Sequence, residues 1–369
     1  PHPNVRSGIL MTFAFAAAGT GGHIHPALAV ARSLVDSGIS TDNIVFFGGD
    51  RLETRLVPEA GFEFAQLDVR GLKRSLTIDN LTIPAMVRRA AARVSAVLRE
   101  RPNGVLTVFG GYVSVPAAMG AQKVAMPYVI HEQNAVPGVA NRFVARRAER
   151  TFVAFAPALD RLRNADVIGN PLDRAFENYD RDRIRPRALR RYGLDPDRPV
   201  VGIFGGSLGA QALNEVAGVL ASAEHRSFSI LHLTGVDHHS TLTQQAANDP
   251  RWITEAFEEE MTMFYAASDL VLSRSGAMTV SELAATATPS VVVPLPAGKG
   301  YQAMNAHDLE EAGGTVIIPQ DRIAEVPDVL ARLVDDRDRL SSMRDGARRV
   351  AKPDAARRVA SSLREIADA

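Results

Sequence analysis

Cysteine is absent from all 369 residues. That excludes disulfides, thiolate metal sites and a cysteine nucleophile, and it suits a reducing compartment. Charge imbalance is lacking too: 42 Lys and Arg stand against 42 Asp and Glu. No global field therefore draws the chain to nucleic acid, and any basic surface has to be local. Apolar runs of membrane-spanning length are missing, because Arg, Asp and Gly interrupt the hydrophobic stretches every few residues. The opening PHPNVRSGIL has no charged-then-apolar leader pattern and precedes Met11, so it reads as a tail outside the fold.

What is present is an ordinary globular composition, 46% hydrophobic and 23% charged, in a chain long enough for two domains. Strand-like runs alternate with helical ones. TFAFAAA (Thr12 to Ala18) predicts a buried strand, followed by a helix from about Pro26 to Ser37. NIVFFGG, GVLTVFGG and MPYVIHEQN continue the rhythm, which implies parallel strands covered by helices on both faces. After Pro171 the pattern pauses in RDRIRPRALRRYGLDPDRP, charged and turn-rich (Arg181 to Pro199). A strand, glycine turn and helix then begin again at PVVGIFGGSLGAQALNEVAGVL (Pro199 to Leu220). The fold class expected is α/β, two doubly wound Rossmann-like domains in series. The boundaries expected are 11–172 and 173–352, with a last helix at 353–369 crossing back to the first domain.

Phosphate recognition needs backbone N–H groups at a helix start, with glycines that let the ligand come close. Three turns qualify: Gly19 to His23, Gly110–Gly111, and Gly205 to Gly209. The first lacks the third glycine of a dinucleotide fingerprint, and no acid is cleanly placed some twenty residues on, which disfavours a dehydrogenase. No turn ends in Gly-Lys-Ser/Thr, so a P-loop is excluded. The stretch SDLVLSRSGAMTVSELAATATPSVVVPLP (Ser268 to Pro296) is more informative. Its strand ends at Ser273, Gly276 turns the chain, and a helix starting near Ala277 offers N–H groups and a positive dipole end to a diphosphate. Glu282, a turn and a half on, can accept hydrogen bonds from vicinal ribose hydroxyls or simply complement the dipole.

In order along the chain, AGTGGHIHP, GGYVSVP, HEQN, GNP, GGSLGA, RSGAMTVSEL and QAMNA resemble the motifs of the MurG family, and they span Ala18 to Ala306. The resemblance implies a GT-B architecture, two Rossmann-like domains facing across a cleft. It implies inverting transfer of N-acetylglucosamine from UDP-N-acetylglucosamine to lipid I, giving lipid II, with no essential metal ion and no cofactor. It places Glu282 on the ribose and Ser207 on the diphosphate, together with Ala277, Met278 and Thr279 and the helix continuing through Val280 and Ser281. Gln302 and Asn305 fall near the sugar hydroxyls; Thr20, Gly21, Gly22, His23 and Asn134 line the other wall. The family Arg two residues beyond the Gly-Asn-Pro proline is Asp173 here, and Arg174 follows. Phe257 and Glu258 are candidates to flank the uracil.

His23, with an unperturbed pKa near 6.5 and a cleft-facing position, is the candidate base for the acceptor hydroxyl. Phosphate ligand and structural cap remain open for it; His131 and Glu132 are rival bases, and His25 is incidental. Residues 71–101 carry seven basic residues against two acidic, interspersed with Leu72, Leu76, Ile78, Leu81, Ile83 and Met86. This segment around Leu72 to Arg101 reads either as an amphipathic helix with a solvated basic face or as a patch for an anionic membrane surface. The lipid acceptor implied by the family favours the second, peripheral to the cytoplasmic face of the bacterial plasma membrane. Competing functions are another UDP-sugar-dependent glycolipid transferase and a UDP-sugar epimerase. The epimerase needs a carboxylate pair that does not stand out.

Overall fold

The computed structural model describes residues 11–69, 83–101, 103–206, 209–296 and 301–369. The chain divides into two compact units. One runs to Asp173 and takes up Asp354–Ala369; the other is Arg174–Pro353. Among the described residues no helix is long and apolar enough to cross a membrane.

The first unit holds a seven-stranded sheet: β1 (Thr12–Ala17), β2 (Ile44–Gly48), β3 (Glu63–Gln66), β4 (Gly104–Gly110), β5 (Tyr128–Glu132), β6 (Arg150–Val153) and β7 (Ala165–Val167), in the order 3-2-1-4-5-6-7. The second holds β8 (Val200–Phe204), β9 (Ser229–Leu233), β10 (Trp252–Glu255), β11 (Leu270–Ser273), β12 (Ser290–Val292) and β13 (Thr315–Ile317), in the order 10-9-8-11-12-13. Every pairing is parallel. β1, β2, β4, β5 and β8 are buried along their whole length, as a sheet covered on both faces requires. In each sheet the order reverses at one place, between β1 and β4 and between β8 and β11. Ligands of open α/β sheets bind outside the carboxyl ends of the strands at such switch points.

The last helix, Ala355–Asp368, lays Ala356, Val359, Ala360 and Leu363 into the core of the first unit, against the helix Gly21–Asp36. Burying Val359 and Leu363 alone contributes about 1.5–3 kcal/mol each.

Two elements differ from the sequence expectation. The first helix starts at Gly21 rather than near Pro26, so Pro26 lies inside it. The charged segment after Asp180 is not a turn-rich linker but the helix Arg181–Tyr192, begun by Asp180 accepting from the Arg183 N–H and ended by Gly193 at φ 64°. Only Ala188, Leu189 and Tyr192 on it are buried. Its arginines bind groups remote in sequence: Arg181 and Arg185 donate to the two oxygens of Asp269, and Arg185 also to the carbonyls of Ala266 and Ala267 at the end of the helix Met261–Ala267.

Candidate functional site

In the first unit the switch point is built from the glycine turns. β1 ends at Ala17, Gly19 turns at φ 98°, and Thr20 starts the helix in an extended conformation without capping it by its side chain. The Thr20 carbonyl takes the N–H groups of His23 and Ile24, at 3.0 and 3.3 Å. The amides of Gly21 and Gly22 open a sixteen-residue helix with no acid in its first turn. Such an end attracts a negatively charged group.

His23 stands in this first turn, half-buried. Its Nδ1 lies 3.1 Å from the Ala18 carbonyl, so the neutral ring carries its proton there and keeps the Nε2 lone pair. Burial lowers its pKa, with Glu132, the Ala18 carbonyl and Glu53 pulling the other way; the ring is neutral at pH 7. Across the switch point, Gly110 closes β4 at φ 115°, and a Cβ there would stand 2.8 Å from the His23 ring. Only glycine fits.

The two rival bases are committed elsewhere, which corrects the sequence reading. His131 is fully buried in β5; its Nε2 is 2.8 Å from the Gly169 carbonyl, and its Nδ1 is 3.2 Å from the Gln133 amide. Burial pushes its pKa down to about 4. Glu132, 2% exposed, accepts from the N–H groups of Asn134 and Gly138 (both 3.0 Å) and from the Asn134 and Asn141 side chains. It braces the loop that carries Asn134. His25 is exposed. Sequence reasoning missed Glu53, fully buried, which accepts from the Gly49 and Gly19 N–H groups and the Tyr112 hydroxyl. Nothing local in DRLETRLVP announces a carboxylate that ties three glycine-rich turns together.

In the second unit a cavity of about 740 Å³ opens at the β8/β11 switch point. Gly205, Gly206, Gly209, Gly276, Thr279 and Gln302 line it, with Arg274. Ser207 lies outside the described residues. Gly209 has φ 77°, and a Cβ there would collide with the Thr234 carbonyl oxygen. Two helices, Gln211–Ala221 and Ala277–Ala285, begin at this cavity, neither with a side-chain cap nor with an acid in its first turn. Arg274, missed as a site residue by the sequence reading, donates to the Val293 carbonyl (3.1 Å), and its buried Nε has no partner among the described residues. No ion pair with a carboxylate forms there among the described residues. Burial lowers its pKa, and the buried Ser275 hydroxyl beside it also lacks a partner among the described residues. Two helix starts, with a cation lacking a counter-ion and a hydroxyl lacking a partner among the described residues, make a receptor for an anionic group.

Along the helix Ala277–Ala285, Ala277 and Val280 are buried, while Met278, Thr279, Ser281 and Glu282 are half-buried. Glu282 follows Thr279 by three residues and shares its face, though it is not itself a wall of the cavity. The Tyr265 hydroxyl donates to its Oε2 at 2.7 Å. Burial pushes the Glu282 pKa up to about 7, against the lowering effect of that bond. Gln302 accepts from the Leu295 N–H, whereas Asn305 is buried and donates to the Ser275 carbonyl (3.2 Å), bracing the turn instead of standing at the cavity surface. Arg174 also stands apart: it lines a different cavity of about 570 Å³ with Asn178, Arg183 and Arg187. Phe257 is 54% exposed, but Glu258 is buried against the Tyr192 hydroxyl (2.5 Å) and Arg191 (3.0 Å) and is not free to meet a base.

Residues 13–153 match the glycosyltransferase family 28 N-terminal domain, and residues 200–359 match its C-terminal domain. A UDP-N-acetylglucosamine--N-acetylmuramyl-(pentapeptide) pyrophosphoryl-undecaprenol N-acetylglucosamine transferase of Acidothermus cellulolyticus is 38% identical over 97% of this chain and 99% of its own. A crystal structure of Acinetobacter baumannii MurG superposes with a TM-score of 0.74 at 28% identity, covering 96% of this chain and 99% of that one. A UDP-GlcNAc 2-epimerase from Neisseria meningitidis, 12% identical, has a TM-score of 0.68 over 96% of this chain and all of its own, a likeness of fold alone. With both domains matched in order and a named relative aligned along nearly its whole length, the chain belongs to the MurG family of glycosyltransferases.

Proposed function

We propose that the chain transfers N-acetylglucosamine from UDP-N-acetylglucosamine to lipid I, undecaprenyl-pyrophosphoryl-MurNAc-pentapeptide, with inversion and without a metal ion, giving lipid II. The observation that carries the donor half is Arg274, without a carboxylate partner among the described residues, beside the starts of two helices that have no side-chain cap. The identity of the sugar and acceptor follows the relatives' names. The second unit binds the UDP-sugar, the helix starts and Arg274 holding the diphosphate and Glu282 the ribose diol; Phe257 is an exposed aromatic available to the uracil. The first unit takes the acceptor, with its pyrophosphate at the Gly21 and Gly22 amides. His23 Nε2 removes the proton of the attacking hydroxyl as the new C1–O bond forms and the C1–O bond to UDP breaks. The leaving diphosphate gains charge at the donor site, where preorganised donors stabilise it most.

Acceptor-dependent release of UDP from UDP-N-acetylglucosamine tests this. Release should require a lipid I analogue; equal release without it would indicate hydrolysis or epimerisation.

The acceptor is a lipid, and the first unit meets it at a basic, apolar surface. Arg88, Arg89, Arg93 and Arg99 are exposed on the helix Ile83–Arg99. Val139 (81% exposed) and Phe143 (63%) stand out beside the exposed Arg142, Arg146 and Arg147. The remainder of the segment expected to make this patch, with Leu72, Lys73 and Arg74, lies outside the described residues. This surface seats the protein on anionic lipid at the cytoplasmic face of the plasma membrane. Replacing Arg88, Arg89, Arg142 and Arg146 by Glu should abolish sedimentation with vesicles containing anionic lipid; undiminished sedimentation would remove this surface from the account.

A further inference from the structure

Glu282 is not alone in the second unit. The ring of Tyr265 is fully buried and boxed edge-on by Phe176, Phe204 and Phe264, with centroids 6.2, 6.1 and 5.7 Å away. Three rings from three different elements fix the direction in which its hydroxyl points. That hydroxyl donates to Glu282 Oε2 at 2.7 Å. Among the described residues Oε1 has no hydrogen-bond partner. Phe204 is also a wall of the 740 Å³ cavity, so the box and the cavity share a side.

We propose that Tyr265 is a positioning residue for nucleotide binding: by holding Oε2 of Glu282 it keeps the carboxylate ionised and presents Oε1 to the ribose diol. This rests on the ribose role given to Glu282 above. An ionised carboxylate accepts from both hydroxyls of a diol, whereas a protonated one must give up an acceptor site to its own proton. Burial works against ionisation, and the tyrosine bond works for it. The groups facing the pair are few. Tyr179 faces Tyr265, its own hydroxyl buried without a partner among the described residues. The causes of the carboxyl's shift are burial and the Tyr265 bond. The helices packed against its own carry His307, Asp308, Glu310 and Glu311 (Tyr301–Glu311), Arg344, Asp345 and Arg348 among others (Arg337–Val350), and Arg174 and Glu177 (Arg174–Glu177). Arg181, Arg185 and Arg344 act on Tyr179.

The test is calorimetric binding of UDP to the full chain between pH 6 and 9, for wild type, Tyr265→Phe, Glu282→Gln and the double variant. Wild-type affinity should weaken as pH falls through about 7, where the carboxyl takes up its proton. Tyr265→Phe keeps the ring in its box and removes only the hydroxyl. Loss of a bond to the charged form moves the carboxyl up by about one pKa unit. The variant should therefore bind UDP about fivefold more weakly at pH 7 and nearly as wild type at pH 9. In the Glu282→Gln background the same change should leave the pH profile flat. A Tyr265→Phe profile that coincides with wild type, while Glu282→Gln loses affinity, overturns the positioning role alone. Glu282→Gln binding UDP as tightly as wild type removes the ribose role, and the positioning role with it. Thermal unfolding of each variant identifies a folding defect, and Glu282→Gln reads the same bond from its other end.

Discussion

His23→Ala should lower kcat by about 10²–10⁴-fold, the usual contribution of a positioned general base, while the donor Kd stays within about twofold of wild type. The split follows from where the residue stands. Its ring is held by Ala18 and Gly110 in the first unit, and the anion-receptive cavity with Arg274 belongs to the second. The pH profile gives a second signature. Burial lowers the His23 pKa below 6.5, so the acidic limb of kcat should lie below that value and vanish in the variant. The limb in donor affinity expected from Glu282, whose carboxyl is pushed up to about 7, should persist. Steady-state kinetics across pH 5.5–8.5 with a soluble lipid I analogue would separate them. A variant with wild-type kcat and a collapsed affinity for the acceptor pyrophosphate would make His23 a phosphate ligand instead.

Arg274→Met should weaken UDP binding by about 1.5–3 kcal/mol, roughly 10–150-fold, because it deletes a charged donor facing a diphosphate. Uridine, which has no phosphate, should bind both forms alike. Methionine keeps most of the aliphatic stem and leaves no charge behind, so the loss reports the guanidinium and not a cavity. Titration calorimetry with uridine, UMP and UDP reads the effect as a step that appears with the phosphates. Equal losses for all three ligands would show that Arg274 only holds the Val293 turn.

Much of this was legible in the chain. Fully buried strands of a parallel sheet appear as short apolar runs closed by glycine, and FAFAAAG, VLTVFGG and VVGIFGG are such runs. The helix mouths after them follow from the same pattern. The helix Arg181–Tyr192 was hidden because its arginines satisfy groups more than sixty residues away, such as Glu258, Glu260 and Asp269, and periodicity records only apolar burial. Pro26 misled in the opposite direction: proline is commonest in a first turn, yet here it sits at the sixth position of its helix. His131 looked like a base because HEQN is polar, but its strand lies between β4 and β6 and is covered on both faces. Glu53 and Tyr265 left no trace, since the bonds through which each acts are set by the tertiary fold.

The proposed reaction turns on one event, the direct passage of the sugar from UDP to an acceptor hydroxyl activated by His23. Carbon-13 NMR of a reaction containing UDP-N-acetylglucosamine labelled at C1 and a lipid I analogue follows that event at the reacting atom. Under direct inverting transfer the label leaves the α-linked donor and appears as a β-linked disaccharide, only when acceptor is present. Label in free sugar, in an α-linked product or in an epimerised nucleotide sugar would contradict it.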